Sequence, residues 1–463
     1  MTPEEKASEI SPVDALAPSM ERRYKEFSNV PQIGGISEDQ VVQTADNSEK
    51  APVDEQGDIR TPEEKRISYV QFLTLCWTLV LGGWNDGTTG PLLPRIQEVY
   101  KVDYIVVSLI FVFACGGFMG GSLLNMYITP RLGFGKTLVL GSVMQVTAYC
   151  IQASAPPFPA FVFGYTIAGM SLSLQDAQAN GFVANLKYNP KSKMGIVQAC
   201  YGLGLFAAPL VSTQFAQQRR WSFHFLVSLG MAVINTTLQI LVFRFKSLDY
   251  CLVLGGEPET DKSQFSDGSL FKQVMKSRTT QFIALFIVVH LGVGVTIGGW
   301  IVTYIINVRG GGPSSGYISA GVSGVMLGRV GLLWLNKRLG ERNAVFLYSL
   351  LCIGLEIVVW WVPSLVGNAV ALCFIGLFLG PMYPIAINQA SRLLPGWMLT
   401  GAIGWIAGFG QTGSALVPFI TGAIANKYGL KSLPPLLVVL TGIMTLMWML
   451  VPSGNHSRSI NTH

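Results

Sequence analysis

Three acids of this 463-residue chain stand inside long apolar stretches: Asp86, Asp176 and Glu356. The bases that share that setting are Arg329 and the titratable His290. An ionisable side chain at membrane depth costs about 2.5–3.5 kcal/mol on insertion scales, so functional use is the default reading. Asp86 belongs to Gly83-Trp84-Asn85-Asp86-Gly87-Thr88-Thr89-Gly90, a polar break in an apolar run. Asp176 belongs to Gln175-Asp176-Ala177-Gln178-Ala179-Asn180. Polar neighbours of this kind suit a cavity that water reaches, where a carboxyl can take up and release a proton near neutral pH. Both are therefore proton-coupling candidates, against the alternative of a carboxylate hydrogen-bonded for structure. Arg329 stands close to the end of its stretch, where a guanidinium either snorkels to the interface or serves as a gating or structural charge. His290 reads as a packing histidine, and Glu356 has no assigned role.

The elements that must position these groups are membrane-spanning helices. Half of the residues are apolar, 13% are charged and the mean hydropathy is +0.44. Soluble chains carry roughly 25% charged residues. The charge is unevenly placed, with a net of −7 over residues 1–68 and +13 over the remainder. The acidic stretch 1–68 is poor in aromatics, lacks the pattern of a signal peptide, and reads as a disordered cytosolic tail. A nucleic-acid surface would need clustered bases without lipid-length apolar runs, so nucleic acid is excluded as a partner. The seven cysteines form no CxxC and lie mostly in apolar runs, so neither a disulfide nor a metal site is expected.

With about 20 apolar residues needed per crossing, twelve spans can be marked. The first six cover about 70–93, 105–127, 137–155, 159–185, 195–216 and 223–245. The second six cover about 282–306, 316–335, 343–362, 367–390, 400–425 and 433–451. The expected organisation is an all-α membrane protein in two pseudo-symmetric six-helix bundles, 69–245 and 282–452. A central cytosolic loop, 246–281, joins them, and a short cytosolic tail, 453–463, follows. Lys and Arg in the loops favour cytosolic termini about twofold, 16 against 7.

The two halves repeat. Gly82-Gly83-Trp84 matches Gly298-Gly299-Trp300, and Arg131-Leu132-Gly133 matches Arg338-Leu339-Gly340. Gly204 with Pro209 matches Gly413 with Pro418. Each pairs span n with span n+6, as in transporters that rock two repeats about a midplane site. Aromatic and amide groups near that site are substrate-binding candidates: Trp84, Asn85, Asn180, Gln198, Tyr201, Trp300, Tyr304, Tyr383, Asn388 and Gln411. Arg131, Arg338 and Arg329 are read as gating or structural charges. There is no GxSxG, HExxH or CxxC, and Pro130 stands where a phosphate loop ending in Gly135-Lys136-Thr137 would begin with glycine. No cofactor and no enzymatic activity are expected.

These residues resemble the fucose–proton symporter branch of the major facilitator superfamily, and in particular its fungal members of the bypass-of-stop-codon-6 type. The resemblance covers about residues 66–452. Asp176 and Asn180 keep the spacing of that branch's coupling glutamate and asparagine, and Gln198 matches a sugar-contacting glutamine. Asp86 precedes Pro91-Leu92-Leu93-Pro94 as the family's aspartate precedes Leu-Leu-Pro, although one turn further upstream. Gly298-Gly299-Trp300-Ile301-Val302-Thr303-Tyr304, Gly380-Pro381-Met382-Tyr383-Pro384 and Leu327-Gly328-Arg329 point to the fungal members. Tyr201 replaces an asparagine, Gly294 stands where many relatives carry an acid, and Pro130 replaces the usual loop aspartate. The resemblance implies a monomeric secondary transporter of a small, sugar-like solute, coupled to protons and placed in the plasma membrane in preference to a vacuolar or endosomal one. The competing expectations are a proton-antiport exporter of toxic or amphipathic compounds and a nutrient sensor that does not transport.

Overall fold

The fold is that of a computed structural model, which describes residues 60–257, 268–318 and 324–452. Residues 1–59 and 453–463, on which the two terminal-tail expectations rest, lie outside the described residues.

The first helix, α1 (Pro62–Tyr100), begins eight residues before the expected span. Its start is dictated locally. The Thr61 hydroxyl accepts from the Glu64 amide while the Glu64 carboxylate accepts from the Thr61 amide, at 3.3 and 2.8 Å. Pro62 follows at a position where its missing N–H costs nothing. Residues 62–68 are therefore helix, and the expected boundary of the tail at residue 68 is corrected to this cap. The first bundle continues with α2 (Leu109–Leu132), α3 (Phe134–Ala153), α4 (Phe158–Ala184), α5 (Pro190–Ala216) and α6 (His224–Phe243).

The expected central loop is partly helical, with short helices at Leu248–Leu254 and Gly268–Lys276. Its first part is tied to the first bundle. Buried Glu257 accepts from the Lys187 amide at 2.7 Å and faces Arg60 at 3.5 Å and Lys193 at 3.9 Å. The Gln71 side chain donates to the Cys251 carbonyl at 3.0 Å.

The second bundle comprises α7 (Arg278–Arg309), α8 in two pieces (Gly324–Gly331 and Leu333–Leu339) and α9 (Glu341–Trp361). It continues through α10, broken at Gly380-Pro381 (Leu365–Leu379 and Met382–Leu393), α11 (Gly396–Tyr428) and α12 (Leu433–Leu450). Ten of the described helical stretches are long and apolar enough to cross a membrane. The other two are α4, which carries the polar patch around Asp176, and the interrupted α8.

Packing shows which repeats are structural. A Cβ on Gly204 would stand 1.9 Å from the Val80 carbonyl oxygen, and one on Gly413 would stand 1.8 Å from that of Val288. Thus α5 seats on α1 as α11 seats on α7, backbone against backbone. Gly133 and Gly340, with φ of 81° and 78°, make the same left-handed break after α2 and α8. Before each break an arginine covers the aromatic ring four residues earlier: Arg131 over Tyr127 and Arg338 over Trp334, at 5.0 and 4.1 Å. The Gly-Gly-Trp match fails this test. Val288 follows Val80 by 208 residues, so the counterpart of Trp84 lies eight residues before Trp300.

Contacts between the bundles gather at the end remote from Pro62. Trp300 of α7 meets Phe111 of α2 and Tyr104 just before it, with ring centroids 6.4 and 5.9 Å apart. Asn307 donates to the Tyr104 hydroxyl at 3.0 Å, the Cys115 thiol to the Gln411 carbonyl at 3.2 Å, and Gln214 to Tyr317.

Candidate functional site

Asp86 is reached by solvent although it lies well inside α1. Pro91 and Pro94 follow it within the same helix. Its Oδ2 accepts from the Tyr201 hydroxyl of α5 at 2.5 Å, and its Oδ1 from Asn85 Nδ2 at 3.2 Å. The carboxylate is thus held between two donors and still open on one side. The close approach of α5 to α1 at Gly204 places Tyr201, one turn earlier, against Asp86.

Asp176 lies on α4 and is half-buried. It accepts from Asn180 Nδ2, one turn further along, at 2.8 Å, and Asn180 Oδ1 accepts from Gln198 Nε2 of α5 at 3.3 Å. The second carboxylate therefore ends a short chain of amides that crosses from α5 to α4. Electrostatic interaction joins Asp176 to Asp86, and both acids to Tyr201. From the other bundle, Arg329 of α8 interacts with Tyr201 and Tyr383, and Tyr383 of α10 with Asp176. Two acids, two phenols and one guanidinium thus lie within electrostatic reach of their neighbours at the junction of the bundles, with three amides bonded to the acids or to one another.

This cluster gathers Asn85, Asp86, Asp176, Asn180, Gln198, Tyr201, Arg329 and Tyr383. Other sequence candidates lie elsewhere. Trp84 is buried, donates to Ser228 at 2.9 Å and stacks on His224 at 5.5 Å, so it packs α1 against α6. Trp300 donates to the Pro418 carbonyl at 3.1 Å and helps close the remote end. Tyr304 is buried, with its hydroxyl 3.5 Å from the Val359 carbonyl. Asn388 donates to Glu341, which also pairs with Arg392, at 3.3 and 3.1 Å. Gln411 is half-buried, and its carbonyl forms the contact with Cys115. Arg131 and Arg338 are exposed on their aromatic neighbours. His290 is buried and stacks on Phe286 at 6.1 Å.

The sequence reading missed Tyr149 and Gln145 of α3. The Tyr149 hydroxyl donates to Asn85 Oδ1 at 3.3 Å, and Gln145 donates to that hydroxyl at 3.2 Å. Their spacing of four within the span was the available signal, since it puts both on one helix face.

Known proteins share the fold. The sequence pattern of the Major Facilitator Superfamily matches residues 75–418. Bypass of stop codon protein 6 of Saccharomyces cerevisiae is 26% identical over 409 residues, covering 83% of this chain and 82% of the yeast protein. The glucose/mannose transporter GlcP of Bacillus subtilis is 22% identical over 358 residues, covering 73% of this chain and 84% of that protein. The crystal structure of the E. coli fucose–proton symporter superposes with a TM-score of 0.58 at 14% identity, over 84% of this chain and 98% of that one.

Proposed function

From the premise that this chain belongs to the Major Facilitator Superfamily, and is therefore a multi-pass membrane transporter and not an enzyme, we propose that it moves a neutral sugar together with protons by alternating access. The observation that carries this reading is the pair of carboxylates, Asp86 and Asp176, each held by amide or phenol donors and still reached by solvent at the junction of the bundles. A transporter and a symporter of sugars among the similar proteins support the solute class.

The geometry suggests how proton and sugar would be linked. While Asp176 is ionised, it holds the Asn180 amide N–H, and Asn180 in turn holds Gln198. Protonation removes the charge that orients Asn180. The Asn180 and Gln198 amides are then free to turn to the hydroxyls of a sugar, donating and accepting as such groups require. Asp86 and Tyr201 form the other wall, and Tyr383 offers an aromatic face from the second bundle. Arg329 balances one of the two carboxylates, so binding one proton leaves the cluster near neutrality. On the sequence-derived orientation the closed end faces outwards and this conformation opens to the cytosol. The expected address is the plasma membrane.

Purified protein in liposomes tests the reading by uptake of labelled D-glucose and D-mannose with the interior made alkaline. The gradient should drive accumulation of at least one sugar. Asp176→Asn should lose the accumulation and retain sugar exchange without a gradient. Undiminished gradient-driven uptake by both Asp86→Asn and Asp176→Asn would overturn the mechanism.

A further inference from the structure

Behind Asp86 lies a buried polar system that the proposed transport cycle does not use. Thr78 Oγ1 of α1 donates to Asn235 Oδ1 of α6 at 2.9 Å, and Asn235 Nδ2 donates to Gln175 Oε1 of α4 at 2.8 Å. Gln175 Nε2 donates to Gln145 Oε1 of α3 at 2.9 Å, and Gln145 Nε2 to the Tyr149 hydroxyl at 3.2 Å. Tyr149 donates to Asn85 Oδ1 at 3.3 Å, and Asn85 Nδ2 to Asp86 Oδ1 at 3.2 Å. The path leaves α1, crosses three other helices and returns to α1 two turns further on. Gln145, Tyr149, Gln175 and Asn235 are each 2% exposed or less.

The order of donors is what gives this path a function. Every amide presents its carbonyl towards Thr78 and its NH2 towards Asp86. Turning Gln175 over would set two donors face to face on one side and two acceptors on the other, and turning any other amide over would do so on the side where it meets an amide or the carboxylate, so the members keep one common direction. Bonds arranged head to tail polarise one another, and this sequence delivers its positive end to the carboxylate. Gln239 reinforces the hub by donating to Gln175 Oε1 at 3.2 Å and to Thr78 Oγ1 at 3.1 Å.

We infer that Gln175 is a positioning residue for Asp86, acting through Gln145, Tyr149 and Asn85 to set the pH at which that carboxyl exchanges its proton. The inference rests on the proton-coupling reading of Asp86. The other titratable or charged groups facing Asp86 are Tyr201 on α5 and Asp176 on α4, with Arg329 of α8 acting beyond Tyr201. The chain enters from α3, the side these groups leave free. An ionised carboxylate that loses a donated hydrogen bond is weakened relative to its neutral form.

Infrared difference spectroscopy against pH, on purified protein in liposomes, tests this without a substrate. The carboxylic C=O stretch of Asp86 is the band absent from Asp86→Asn. In Tyr149→Phe, which keeps the ring and loses one link, the midpoint of that band should move up by about half a pH unit, roughly a threefold change in proton affinity. Gln175→Met, which is remote from the carboxylate, should move it in the same direction. The double variant should move it no further than the larger single effect, because one broken chain cannot be broken twice. A midpoint unmoved in folded Tyr149→Phe, or additive shifts, would overturn the inference and leave the coupling reading standing. If Asp86→Asn removes no titrating band, the coupling reading itself fails.

Discussion

Asp176 and Glu356 are both carboxyls on membrane helices, and their surroundings separate them. Asp176 is half-buried and accepts from Asn180 Nδ2 at 2.8 Å, whereas Glu356 is 1% exposed and accepts from Thr441 Oγ1 of α12 at 2.8 Å. Its other oxygen has no hydrogen-bond partner, and Val359, Leu372, Ile375, Pro434 and Leu437 surround it. Glu356 therefore joins α9 to α12, away from the central cluster. Thr441→Val should lower stability by about 1–3 kcal/mol by leaving a buried acid without its donor. Adding Glu356→Leu should restore much of that loss, since an apolar pair strands no polar group. Thermal unfolding of the purified variants reads both effects, and uptake per folded molecule should stay at the parental level. A double variant less stable than Thr441→Val alone would refute the account. Ionisable residues in apolar stretches were readable from sequence, and Asp86, Asp176 and Arg329 do share one neighbourhood. Which aromatics join them was not readable, because the neighbour a ring meets is set by packing between helices: Tyr201 and Tyr383 join the cluster, whereas Trp84 faces α6 and Trp300 the remote end. Tyr149 went unseen because its link to Asp86 runs between helices far apart in the chain.

Helix pairing depends on a few glycines where two backbones touch. A methyl group on Gly204 or Gly413 would overlap a carbonyl oxygen of the facing helix, at 1.9 or 1.8 Å. Neither backbone can give way as a flexible side chain would. Gly204→Ala and Gly413→Ala should each destabilise by about 1–3 kcal/mol or more, the usual cost of overpacking. Gly404→Ala is the control, because a Cβ there meets nothing within 4 Å and alanine favours helix. Melting temperatures that fall equally in all three variants would refute close approach of the two backbones as the cause. Ten of the twelve expected spans were legible from apolar length, and the Gly-Pro and Arg-Leu-Gly repeats marked equivalent positions correctly. The start of α1 was misplaced because apolar length ignores caps, although Thr61-Pro62-Glu63-Glu64 carries that signal in full. The Gly-Gly-Trp repeat misled for the opposite reason: similar residues can recur two turns apart on corresponding helices and face different neighbours.

At the scale of the molecule, the two bundles meet at the end remote from Pro62, and Trp300 is the largest side chain in that contact. It is fully buried, anchored on the Pro418 carbonyl at 3.1 Å and set against Phe111 and Tyr104. The proposed alternating access requires this end to part, so its closure must be strong enough to hold and weak enough to release. Removing the indole should shift the population towards opening at that end. Cys115 reports on it, since the thiol is buried one helical turn after Phe111 and bonded to the Gln411 carbonyl at 3.2 Å. In protein whose other six cysteines are replaced, a membrane-impermeant maleimide added from the face bearing Tyr100 should label Cys115 slowly. Trp300→Ala should raise that rate roughly tenfold, the effect of a population shift of about 1.4 kcal/mol. Trp84→Ala removes a buried indole from the α1–α6 packing and leaves the junction untouched, so it should not raise the rate. Equal labelling of the two variants would mean that lost stability, not opening, exposes the thiol, and Trp300 would no longer count as the closure of the remote end.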